Sequence, residues 1–108
     1  MVEDEGIVLN RIEELLKAPA SGTAAPSLAR LEETLTAGYA EALALEAERW
    51  RLERRFGEVA RTAHELAVGE ELAGLARRLT HADVELGKLR AVLGRLQART
   101  RAVRHAAV

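Results

Sequence analysis

The sequence predicts an all-α protein: a long antiparallel helical hairpin of coiled-coil type with a short N-terminal helix, three-helix-bundle-like and expected to dimerise into a larger bundle. Three observations lead to this class. Apolar residues recur at spacings of three and four in two long series between Leu28 and Ala107, the signature of sustained helical seams. The composition is 48% hydrophobic and 31% charged, with one Phe, one Trp and one Tyr among abundant Ala, Leu, Glu and Arg. That usage belongs to long helices, and it is short of the aromatic and β-branched residues a sheet requires. The two series also mirror each other about Gly69, as two antiparallel helices would.

Residues 1–17 form the first element, an amphipathic helix with Ile7, Val8, Leu9, Ile12, Leu15 and Leu16 on one broad face and Glu13, Glu14 and Lys17 outside it. A helix of about 15 residues is marginal in isolation, so this face must find a surface to cover. Residues 18–27 carry two prolines and a glycine among small residues and read as a linker. Ser27 is a candidate N-cap for the next helix.

Residues 28–108 are read as the hairpin. Its outgoing seam is Leu28, Leu31, Leu35, Gly38, Ala42, Leu45, Arg49, Leu52, Phe56, Val59, Ala63 and Leu66. Its return seam is Leu72, Leu75, Leu79, Ala82, Leu86, Leu89, Leu93, Leu96, Thr100, Val103 and Ala107. The phase breaks at Gly69, a natural helix stop. If the chain turns there, seam partners share a residue-number total of 138, from Leu66 with Leu72 and Ala63 with Leu75 out to Gly38 with Thr100. Flanking charges then pair Glu32 with Arg104, Glu41 with Arg99, Glu46 with Arg90 and Arg55 with Glu85, while Glu53 and Asp83 form a like-charged exception. Surface pairs of this kind set orientation and register more than stability.

Several function classes are disfavoured. There is no cysteine, which removes disulfides and thiolate metal sites. No run approaches the roughly 18 apolar residues of a membrane span, and the acidic start Glu3, Asp4 and Glu5 is unlike a basic signal peptide. A cytoplasmic protein is the expectation. A formal net charge of −1 gives no bulk attraction to nucleic acid or membrane. His64, His81 and His105 fall on different helical faces, no nucleophile neighbours a base, and no phosphate-binding loop occurs. Neither enzymatic activity nor a cofactor, metal or small-molecule substrate is indicated.

The candidates for function lie off the seams. Tyr39, Leu43 and Trp50 stand on one side of the second helix, and Val84, Gly87, Ala91, Gly94 and Ala98 make a small-residue stripe on the third. Small residues allow close helix approach, and exposed Trp and Tyr are typical interface anchors. One occupant of this flank is the first helix. At about 22 Å it is too short to cover the whole face, which leaves the remainder for a partner protein or a second copy. Tyr39, Leu43, Trp50, Gly87, Ala91 and Gly94 are therefore the candidate partner-binding residues. Arg49, in the seam, reads as a snorkelling arginine paired with nearby acids. The C-terminal arginines Arg90, Arg95, Arg99, Arg101 and Arg104 form a basic stripe, a candidate phosphate-binding footprint. The function expected is a non-catalytic protein–protein interaction module of adaptor, scaffold or chaperone-like kind. The alternative is a nucleic-acid-associated protein using the C-terminal stripe.

Overall fold

A computed structural model describes residues 2–62 and 68–107 of the chain. The fold is all-α, a helical hairpin with an additional N-terminal helix: α1 (Val2–Lys17), α2 (Leu28–Ala60) and α3 (Val68–Ala107). Among the described residues there is no strand. No helix there is long and apolar enough to cross a membrane. The chain divides into two compact units, one of Met1–Ala42 with Lys88–Val108 and one of Leu43–Gly87.

The first unit holds α1, the start of α2 and the end of α3. Its core is Ile12 and Leu15 from α1, Leu31, Leu35 and Ala42 from α2, and Leu89, Leu93 and Leu96 from α3, with Ile12 and Leu96 sealed completely from solvent. Thr34 and Thr100 are also buried. Each satisfies its hydroxyl by donating to the carbonyl four residues earlier, Arg30 and Leu96 respectively, so neither is an orphaned polar group. Only part of the expected α1 face is used, because Ile7 stays 53% exposed. The linker contains Gly22 at φ 91°, a left-handed conformation that favours glycine. Ser27 caps α2 as expected, its Oγ accepting from Arg30 N at 3.1 Å.

The second unit holds the end of α2 and the start of α3. Leu52, Val59, Val68, Leu75 and Ala82 form its buried core, and Phe56, Leu72 and Leu79 pack against them. The α2 helix finishes on a tightened turn in which Val59 O accepts both the Thr62 amide, at 3.0 Å, and the Thr62 hydroxyl, at 2.9 Å. That consumes a carbonyl the helix end would leave unpaired.

Gly69 does not act as a helix stop. This glycine is the second residue of α3 and has no positive φ. It is followed by Glu70 and Glu71 in the first turn, where the helix dipole favours acid. The expected pairs Leu66 with Leu72 and Ala63 with Leu75, and His64, involve positions outside the described residues. The seam contact that can be read in the first unit differs from the 138 total by one heptad. In the first unit a Cβ on Gly38 would collide with Leu93, not Thr100, and these two residue numbers total 131. In the second unit Arg55 reaches Glu71 across the helix pair at 2.7 Å, where a turn at Gly69 would set it against Glu85, and Arg78 reaches Glu48 at 3.5 Å. Seam phase survives a slip of seven residues unchanged, so the same side chains face inward while their partners change. Glu32 with Arg104 forms as expected, at 3.0 Å, because two long flanking side chains can reach each other in either register.

Candidate functional site

The helix α1 does not lie on the flank of small residues. In the first unit Ile12 drops against Gly38, where an added Cβ would stand 3.1 Å from Ile12 Cδ1. Arg99 completes the docking. Its guanidinium donates to Leu15 O at 2.7 Å, to Leu16 O at 2.8 Å and to Ala18 O. The carbonyls at the end of α1 have no partner within the helix, and a cation there also meets the negative end of the dipole. Sequence reasoning placed Arg99 opposite Glu41 and in a phosphate-binding stripe; the structure uses it as the C-terminal clamp of α1.

The candidate partner residues of the first unit are Tyr39, Ala91 and Gly94. Tyr39 is 42% exposed, and its hydroxyl donates to Gln97 Oε1 at 3.0 Å. Ala91 and Gly94 are exposed, and nothing lies within 4 Å of the space a Gly94 Cβ would occupy. The small-residue stripe here is thus open to solvent. Of the five C-terminal arginines, Arg99 is committed to α1 and Arg104 to Glu32; Arg90 is also engaged, and Arg95 and Arg101 are exposed.

In the second unit Leu43 is 67% exposed and Trp50 57%. The two stand seven residues apart on α2, hence on one helical face. Arg54 lies over the Trp50 ring with its guanidinium carbon 4.8 Å from the ring centroid, a cation–π contact one turn along the helix. On α3, Val84 is 48% exposed and Gly87 has nothing within 4 Å of its missing Cβ. Arg49 resolves the like-charged exception. It bridges Glu53 Oε1 at 3.2 Å and Asp83 Oδ1, so the two acids share one guanidinium. Its Nε is buried and faces Asp83 without hydrogen-bond alignment. This is the snorkelling arrangement expected of a seam arginine.

No group of three or more His, Asp or Glu side chains that could hold a metal ion occurs among the described residues. The concavity bounded by Glu14, Leu15, the linker residues Ala18 and Ala24 to Ser27, and Arg30 is a shallow fold between α1 and the start of α2. No family model matches the chain, and neither a curated protein nor a solved structure matches it.

Proposed function

We propose that this protein is a non-catalytic protein–protein interaction module, and that it binds through the face of α2 that carries Trp50. The observation that carries the reading is the exposure of Trp50 and Leu43 on one face of a helix whose opposite side supplies the core. Most large apolar side chains of the described residues are buried or half-buried along the seams. A helix that exposes Trp and Leu at a heptad interval away from its seam is built to have that surface covered. Aromatic anchors of this kind supply a disproportionate share of interface free energy. The basic C-terminal stripe offers less support for nucleic-acid binding, since Arg99 is committed to α1 and Arg104 is paired at the surface with Glu32.

The test is capture of crosslinked partners from the native cell with the wild-type chain and with Trp50→Ala. Loss of specific capture for the variant, with helicity unchanged, is the expected result. Equal capture by both proteins would place the binding surface elsewhere.

A further inference from the structure

The face of α2 turned away from the seam in the second unit has an order of its own. Leu43, Glu46, Ala47, Trp50, Arg54 and Gly57 fall within one arc of the helix, turned away from the seam residues Leu45, Leu52, Phe56 and Val59. Along this arc the chemistry is ordered about Trp50. Four residues before it stands an acid, Glu46, half-buried and already engaged within its own chain, and four after it an exposed base, Arg54. Seven residues before it stands a large exposed side chain, Leu43 at 67% exposure, and seven after it a glycine. A Cβ on Gly57 would meet nothing nearer than Arg61 Nη2 at 3.9 Å, so the space beside that glycine is open.

Such a face is complementary to itself when reversed. We propose that the partner bound at Trp50 is a second copy of this chain, with two α2 helices crossing antiparallel about a two-fold axis at Trp50. Contacting residues in that arrangement have numbers totalling 100. Glu46 of one copy faces Arg54 of the second copy, twice, with opposite charges in register. Leu43 of one copy enters the open surface beside Gly57 of the second, a large residue against a small one. The two indoles pack at the axis, and Ala47 lets the backbones approach there. An isologous contact requires each residue's partner to be reciprocated, and this arc satisfies that requirement in charge and in size. A parallel pair would instead set Glu46 against Glu46 and Arg54 against Arg54. The cation–π contact of Arg54 with its own Trp50 restricts the guanidinium before association, which reduces the ordering cost.

This inference rests on the interaction reading above but fails separately from it. The test is sedimentation equilibrium of the purified full-length chain over a concentration series, with wild type, Glu46→Arg, Arg54→Glu and an equimolar mixture of the two variants. The expected pattern is reversible dimerisation of wild type and roughly tenfold weaker self-association of each variant alone, since each places like charges opposite one another twice. The mixture should recover dimers, because the arginine introduced at position 46 of one variant then meets the glutamate introduced at position 54 of the other. Circular dichroism of each variant confirms that the helices persist. A wild type that remains monomeric throughout, or single variants that dimerise as well as wild type, would overturn the proposal. The interaction reading would then stand or fall on partner capture alone.

Discussion

Arg99 closes the C-terminal end of α1 by supplying, from its own guanidinium, the donors that the helix lacks there. Charge-assisted hydrogen bonds of this kind are worth about 1.5–3 kcal/mol. Arg99→Met keeps the aliphatic stem and removes the donors, so it should destabilise the protein by about 1–3 kcal/mol, read as a lowered midpoint in urea, with earlier amide exchange in α1 than in α2. Gly38 provides the notch that Ile12 and Leu93 fill. Gly38→Val would force both to move, and overpacking of a core site costs typically about 1–3 kcal/mol. The gain in helix propensity from removing glycine is less than about 1 kcal/mol, so the net effect expected in thermal melting is destabilisation. A Gly38→Val protein as stable as wild type would mean that Ile12 and Leu93 do not fill this notch.

At the scale of the elements, the heptad pattern carries most of the information and also conceals one ambiguity. It was legible that Leu31, Leu35, Leu52, Val59, Leu75, Leu86, Leu89, Leu93 and Leu96 would be interior, because a 3,4 spacing allows only one face to be apolar, and each is buried. Register was not legible from the same pattern. A slip by a whole heptad preserves every apolar contact class, so the phase break and the mirror pattern at Gly69 did not fix which residues pair, and α2 already ends at Ala60. The site of α1 was hidden for a related reason. Its docking depends on the absence of a side chain at Gly38 and on the reach of Arg99, two features that the spacing assigns to a seam and a basic stripe. The register makes a measurable claim in the second unit. A double-mutant cycle between Arg55 and Glu71 should give a coupling of about 0.2–1 kcal/mol, as exposed ion pairs do. Arg55 with Glu85, the pair required by a turn at Gly69, should give none.

For the molecule as a whole, the interior accounts for the seams and for one face of α1, while Trp50 and Leu43 remain on the surface of the second unit. Their exposure was legible in the sequence, because a residue off both seams has no place in a two-helix core. What would cover them was not legible, since a single chain does not record its partner's surface. The proposed dimer requires that Trp50 serve self-association and not folding. Trp50 is the single tryptophan of the chain, so its accessibility can be followed without labelling. The most direct measurement is iodide quenching of tryptophan fluorescence across a protein concentration series, read beside the mass from light scattering. The indole should be open to quencher in the dilute monomer and progressively protected as the mass doubles. Protection in the dilute monomer, or full accessibility at every concentration, would contradict the proposed dimer.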